Sequence, residues 1–206
     1  MVLRLKQYLE RFISIYFHSI PGGYTARKIS LLKQFYTLTN SYPRDLEIDY
    51  WLAYGTLLGY YREKGLLAHG IDLDYGAPEE SFGKIWDNRH QLPRGLKLFN
   101  TSHRHKGPKL FFSYKGFDAD IYFYGKKGNK MVPYLISSIP ADMKAFPVDY
   151  IYPLVDRLFL GQTTFAPAKP KDYLKHCYRY IGRHAVFDPK SGYWYEKKSD
   201  AQGAKG

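Results

Sequence analysis

The chain of 206 residues carries 31 Lys and Arg against 19 Asp and Glu, a net charge of +12, and 45% of its residues are hydrophobic. This length fits one ordinary domain, and the apolar content excludes a disordered protein. A single cysteine, Cys177, excludes an internal disulfide and a cysteine-based metal cluster within one chain. No apolar run reaches the ~20 residues of a membrane span and no signal peptide is recognisable, so we expect a cytoplasmic protein.

Basic charge is concentrated in the middle of the chain. Between Lys84 and Lys130 there are eleven Lys or Arg residues against three acids. Such an excess favours an anionic partner. Phosphates, a nucleic acid and an anionic membrane surface all remain open as that partner at this point.

Two helices are predicted at the N-terminal end. Apolar residues at three- and four-residue steps indicate an amphipathic helix over residues 3–20, ended by Pro21-Gly22-Gly23. Its basic face would also suit peripheral contact of residues 1–22 with the inner face of a membrane. A second helix is predicted from Thr25 to about Asn40, where the sequence Asn40-Ser41-Tyr42-Pro43 should stop it.

Strands and helices then follow in short segments. We expect a buried strand at Asp49–Ala53, a helix at Thr56–Glu63, a strand at Ile71–Tyr75 and a helix from Glu79 to about His90. Further strands are predicted at Leu96–Asn100, Leu110–Tyr114, Phe117–Tyr124 and Met131–Ile136, and a helix at Asp172–Tyr180. This pattern predicts one α+β domain over residues 25–198, preceded by the helix within residues 1–24 and followed by a disordered tail over residues 199–206.

Two acidic side chains share one face of the Ile71–Tyr75 strand. Because side chains alternate along a strand, Asp72 and Asp74 point one way while Leu73 and Tyr75 point into the core. Carboxylates ~7 Å apart repel each other unless a cation lies between them, and Mg²⁺ prefers such oxygens. By itself an Asp-x-Asp pair is more often a solvated strand face.

The strand Phe117–Tyr124 has the same alternation. Its apolar residues should face inward, leaving Asp118 and Asp120 on the other face with Tyr122. One interpretation is a polar sheet face opposite Lys or Arg. The other is a further carboxylate delivered beside Asp72 and Asp74.

A Gly55-Thr56 bend joins the first buried strand to a helix. Such a bend directs free backbone N–H groups and the positive helix end toward an anion, and the hydroxyl of Thr56 adds a donor. Arg62, two turns into the helix, could reach a phosphate or a carboxylate. Taken alone, a Gly-Thr pair at this place is more often a plain helix cap.

Together these segments resemble a known signature. The run between Tyr50 and Gly76 contains Gly-Thr-Leu-Leu-Gly, Arg62 three residues on and a closing Asp-Leu-Asp, and it resembles the LicD/fukutin family. His69-Gly70-Ile71 stands where many bacterial members have extra acids, which is closer to the fukutin branch. The strand around Asp120 resembles the family's Ile-Asp-Ile-Phe strand, and the segment from Phe146 to Gly182 resembles its C-terminal part, so the resemblance covers roughly residues 28–195.

The resemblance implies a fold and an activity. The fold would be that of the nucleotidyltransferases, a mixed sheet flanked by helices, here with an N-terminal helical segment. The activity would be a metal-dependent transfer of a phosphocholine- or phosphoribitol-like group from a CDP-linked donor to a hydroxyl of a glycan or lipid-linked glycan.

The resemblance also implies roles for individual residues. Asp72, Asp74 and Asp120 would be catalytic and would hold one or two Mg²⁺ or Mn²⁺ ions, and Asp120 would help to deprotonate the acceptor. Asp118 matches no acid of the family and is expected at the surface. The residues expected to contact the substrate are Gly55, Thr56, Gly59, Arg62 and His69.

Alternatives to this activity remain open. The same fold could attach a nucleoside monophosphate to a small acceptor, and a degenerate, non-catalytic copy would keep the fold alone. A basic nucleic-acid-binding module would use the charge and the 21 tyrosines. Because the tyrosines follow core-like periodicity, we expect no nucleic-acid partner.

Overall fold

The computed structural model of this chain describes residues 23–67, 70, 72–105, 107–134 and 144–197. The predicted helix over residues 3–20 and the predicted tail from residue 199 lie outside the described residues. No helix in the described part is long and apolar enough to cross a membrane.

Four α-helices of the described residues pack around the sheet. They are α1 (Gly23–Asp45), α2 (Tyr54–Glu63), α3 (Ser81–Asp87) and α4 (Pro170–Tyr178). Helix α1 continues through Pro43, so the predicted stop at Asn40 is wrong. Tyr42 is buried and donates its hydroxyl to the Ile85 carbonyl at 2.9 Å, and this packing outweighs the helical hydrogen bond lost at the proline.

The central sheet is mixed. Its strands are β1 (Trp51–Leu52), β2 (Asp72–Pro78), β3 (Lys97–Asn100), β4 (Lys109–Tyr114), β5 (Phe117–Lys127), β6 (Lys130–Pro133) and β7 (Phe146–Pro147). The order is β1-β2-β5-β4-β3, and β6 pairs with both β5 and β7. Strands β2 and β5 are parallel and the other pairs are antiparallel, so the predicted α+β fold is confirmed.

Two separate hairpins complete the described structure. The first joins β8 (Val155–Phe159) to β9 (Gln162–Ala166), and the second joins β10 (Ala185–Asp188) to β11 (Tyr193–Glu196). Leu160 and Gly161 form the turn of the first hairpin, with φ of 50° and 83°. Neither hairpin was predicted from the sequence.

Apolar residues on one face of β2 and β5 pack into the hydrophobic core. Leu73 and Tyr75 of β2 and Ala119 and Ile121 of β5 are buried there, which confirms the predicted alternation. The edge strand β1 is also fully buried. A Cβ on Gly76 would lie 2.3 Å from the Trp51 indole, so only glycine lets these strands approach. The opposite face of β2 and β5 carries their acids and, farther along, Tyr124, which is buried against Trp51.

Candidate active site

Four carboxylates occupy neighbouring positions on two parallel strands. In the register of β2 and β5, Asp72 lies beside Asp118 and Asp74 lies beside Asp120. Paired residues project from the same face of a sheet, and neighbouring strands are ~4.8 Å apart. The structure therefore brings Asp120 next to Asp74. Asp118 is half-buried within this array rather than at the surface, because the parallel pairing places it beside Asp72.

The Gly55-Thr56 bend holds Asp74 in place. The backbone N–H of Gly55 donates to Oδ2 of Asp74 at 3.0 Å, and the Thr56 hydroxyl accepts the backbone N–H of Asp74 at 2.8 Å. A Cβ on Gly55 would lie 3.2 Å from the same carboxylate oxygen. The Gly55 N–H that we expected to meet a phosphate thus fixes a carboxylate here, and the Thr56 hydroxyl acts as an acceptor for the backbone of the same residue.

The carboxyl of Asp74 has an unusual protonation equilibrium. Burial, followed by the charges of Asp72 and Asp120, raises its pKa to about 8, against a smaller lowering by Lys109 and the Gly55 N–H. Without a further cation this carboxyl is mostly protonated at neutral pH. A bound divalent ion would favour the ionised form.

Two buried lysines lie close to the acids, and neither was predicted from the sequence as a site residue. Nζ of Lys109, on β4, is 2.8 Å from Oδ1 of Asp120 and 3.4 Å from the centroid of the Tyr122 ring. Burial lowers the pKa of Lys109, and the charge of Asp120 opposes this. Lys28 of α1 is also buried, and burial lowers its pKa against the raising effect of Asp72. The sequence did contain a signal for Lys109, because a lysine at the start of an apolar strand is unusual and suggests a partner of opposite charge.

Whether Asp120 can bind a metal ion depends on its ion pair with Lys109. Among the described residues, no three His, Cys, Asp or Glu side chains are arranged to hold a metal. Lys109 also forms an ion pair with the carboxylate of Asp120. The donor chemistry still fits a hard cation, since Asp72, Asp74 and Asp120 offer only oxygen ligands. Asp72 and Asp74 would be the first ligands, and Asp120 would join them once Lys109 releases it.

The acids open into a cavity of about 660 Å³, which we call the acidic cavity. Asp72, Asp74 and Asp120 line it together with basic residues of β4 and the segment before it. Aromatic residues of α4 and of the β10–β11 hairpin also contribute. The basic and aromatic members are Arg104, His105, Lys109, Tyr54, Phe111, Tyr122, Tyr178, Phe187 and Trp194. Burial and the nearby Lys109 lower the pKa of His105.

A second cavity of about 830 Å³ adjoins the first. Its walls combine apolar side chains, among them Leu58 and Leu66, with Arg62 and Glu63. The residues that line both cavities are Gly55, Asp72, Tyr178 and Trp194. Asp72, which is exposed, is therefore accessible from either side.

The remaining residues proposed from sequence lie elsewhere. Arg62 lines the second cavity, and its guanidinium contacts the Gly182 carbonyl and the Glu63 carboxylate, each at 3.4 Å. A Cβ on Gly59 would lie 2.6 Å from the Gly65 carbonyl, so tight packing accounts for this glycine without a ligand. His69 lies outside the described residues.

Comparison with known proteins gives two matches. The family model described as "LicD/FKTN/FKRP, nucleotidyltransferase domain" matches residues 47–169, more than half of the chain. An uncharacterized protein of Rickettsia typhi is 29% identical over 148 residues, which is 70% of this chain and 44% of that protein. The chain thus spans less than half the length of this relative. The matched segment includes the acids, whereas α4 and the β10–β11 hairpin lie beyond it.

Proposed function

This chain belongs to the LicD/FKTN/FKRP family, and we propose that it transfers a phosphocholine- or phosphoribitol-like group from a CDP-linked donor to a hydroxyl of a glycan or lipid-linked glycan. At the level of the family, membership supports a transferase of the phosphotransferase type. The donor, the acceptor and the metal are our proposals. The similarity to the fukutin branch also stays a prediction.

The observation that carries the proposal is the carboxylate array inside the acidic cavity. Burial, followed by the charges of Asp72 and Asp120, raises the pKa of Asp74 to about 8, and Lys109 and Arg104 line the same space. A site with acids alone would repel a diphosphate. A site that binds phosphates through basic residues alone would have no use for buried carboxylates. Both together suit a diphosphate that arrives with a divalent cation.

Each residue near the reacting phosphorus has a task in this proposal. Mg²⁺ or Mn²⁺ at Asp72, Asp74 and Asp120 would neutralise the diphosphate and the leaving CMP. The Gly55-Thr56 bend keeps the Asp74 carboxylate pointing at that position. Lys109, once it releases Asp120, supplies a positive charge for a phosphate oxygen. The bond formed is between the acceptor oxygen and phosphorus, and the bond broken is the one to the bridging oxygen of the diphosphate.

The acceptor would enter through the second cavity. Asp72 lines both cavities, whereas Asp120 lines only the acidic cavity of the two. The Asp120 carboxylate is also engaged by Lys109 and by the Tyr122 hydroxyl, which donates to it at 3.3 Å. Asp72 is therefore better placed than Asp120, our sequence-based candidate, to receive the acceptor proton.

The burial of several tyrosines among the described residues argues against their use in a nucleic-acid-binding module. Stacking with single strands requires exposed aromatic rings. Many of the tyrosines instead belong to the core, among them Tyr36, Tyr42, Tyr50, Tyr75, Tyr124 and Tyr173. We therefore propose no nucleic-acid partner.

The test measures CMP release from CDP-choline and CDP-ribitol with Mg²⁺ and a panel of glycan acceptors. We expect release to depend on Mg²⁺, with Asp72→Asn at least about 100-fold slower, because a metal ligand is lost. Asp87→Asn, which removes an exposed acid at the end of α3, is the matched control and should keep the parent rate. Equal rates for the parent and Asp72→Asn would refute the proposal. An adduct of CMP with the acceptor would instead indicate nucleotidyl transfer.

A further inference from the structure

The β10–β11 hairpin presents two partly exposed aromatic rings to the acidic cavity. Phe187 and Trp194 lie directly opposite each other in its register, with ring centroids 5.3 Å apart and planes inclined by 52°. Their side chains are 37% and 36% exposed, and neither belongs to the hydrophobic core. Both rings line the acidic cavity, so large apolar surfaces face the space that contains the acids.

Backbone contacts with the end of α4 fix the position of this hairpin. The backbone N–H of Tyr180 donates to the Trp194 carbonyl at 3.3 Å, and Arg179 forms a β-bridge with Trp194. The Arg179 guanidinium also donates to the Tyr195 hydroxyl at 3.2 Å, on the other face of the strand. Trp194 is thus held at the cavity by its backbone, and its partly exposed ring can contact a ligand.

We propose that Phe187 and Trp194 form the subsite for the nucleobase of a nucleoside diphosphate. This rests on the proposed function, which places a diphosphate beside the acids. A base has a flat π-face of the size of these rings, and stacking of one base on an aromatic side chain changes affinity by about 10- to 100-fold. The cavity of about 660 Å³ lies within the range of ~300–1,000 Å³ typical of small-molecule sites.

The charges of the cavity favour a base over a cationic alcohol at these rings. Aromatic pairs also bind quaternary ammonium groups. Here, however, the acids would already be occupied by the proposed divalent cation, and Arg104 and Lys109, which line the same cavity, would repel a second cation. A neutral base carries no such penalty, and its attached phosphates gain from the same basic side chains. Because the hairpin lies beyond the family match, it would define a base-binding feature of this chain and of relatives that share it.

The test compares binding of CDP, inorganic pyrophosphate and phosphocholine, each with Mn²⁺, by titration calorimetry. Trp194→Ala should weaken CDP binding by about 10- to 100-fold and leave pyrophosphate binding unchanged. Trp194→Phe should restore most of the CDP affinity, and Phe187→Leu should weaken it by a smaller factor. Val186→Ala is the matched control, since Val186 neighbours Phe187 on β10 and is exposed on the other face of the hairpin.

Several results would overturn the inference. They are an unchanged CDP affinity in Trp194→Ala, an equal loss of CDP and pyrophosphate in that variant, a selective loss of phosphocholine, or no binding of CDP to the parent. The transferase proposal is judged separately by CMP release. A parent that binds CDP through Trp194 but releases no CMP would support the base subsite and refute the transferase.

Discussion

Replacing Lys109 with Met tests the charge balance of the candidate site. The substitution keeps most of the length of the side chain and removes an ammonium whose Nζ lies 2.8 Å from Oδ1 of Asp120. The lysine side chain is 9% exposed and the Asp120 side chain 33% exposed. The variant therefore leaves a partly hydrated carboxylate beside Asp74 without its nearest cation.

The expected magnitude follows from this asymmetry of burial. Breaking a fully buried ion pair costs about 3–5 kcal/mol, but water reaches Asp120, so we expect Lys109→Met to lose about 2 kcal/mol of unfolding free energy. Asp120→Asn leaves the more deeply buried lysine unpaired and should lose about 3 kcal/mol. Each single variant leaves one charge without its partner, whereas the double variant removes both charges. The double variant should therefore lose less unfolding free energy than the sum of the two single losses.

The assay is urea unfolding followed by tryptophan fluorescence, at neutral pH with EDTA, for the parent, both single variants and the double variant. The double-mutant cycle isolates the interaction between Lys109 and Asp120. We predict a coupling of at least ~1.5 kcal/mol. A coupling below ~0.5 kcal/mol, within the additivity of independent sites, would refute the assignment of Lys109 as the resident cation of this array.

Two further predictions concern stability. The pKa of Asp74 is about 8 when folded, against an ordinary value of 3.8, so the folded state retains a proton that the unfolded state releases. The metal-free protein should therefore lose stability as pH rises from about 4 to 8, and this group contributes at most ~1.4 kcal/mol per pH unit. In thermal melts, the stability of Asp74→Asn should depend less on pH than that of the parent. An equal dependence on pH in both proteins would contradict the assignment of this effect to Asp74. Gly76→Ala should cost about 1–3 kcal/mol or more because its Cβ would meet Trp51 at 2.3 Å. Gly83→Ala, whose Cβ has no neighbour closer than 4.0 Å, should be neutral or stabilising in the same melts, and equal losses in both variants would contradict the packing argument.

Local sequence pattern predicted the strands of the site well. Alternation of apolar and acidic residues placed Leu73 and Ala119 in the core and their acidic neighbours on the other face, as the structure has them. The pairing of the two strands, which are separated by β3 and β4 in the chain, is a long-range fact that alternation does not contain. It was the resemblance to a family that connected Asp120 with Asp72 and Asp74.

The features that were missed depend on tertiary contacts. Lys109 is a site residue because antiparallel pairing of β4 with β5 brings its ammonium to Asp120. Helix α1 passes Pro43 because packing around Tyr42 stabilises its last turn. The polar groups of the Gly55-Thr56 bend contact Asp74, which is 18 or 19 residues away in sequence. No local pattern encodes these distances.

The most direct test of the account is Mn²⁺ binding, measured by electron paramagnetic resonance in the presence of CDP. We predict that the parent binds one or two Mn²⁺ ions, that Asp72→Asn and Asp74→Asn each weaken this binding by at least about tenfold, and that Asp87→Asn binds as the parent does. Mn²⁺ binding that is unchanged by both substitutions in the acidic cavity, or no binding by the parent with CDP present, would contradict a divalent cation held by these carboxylates.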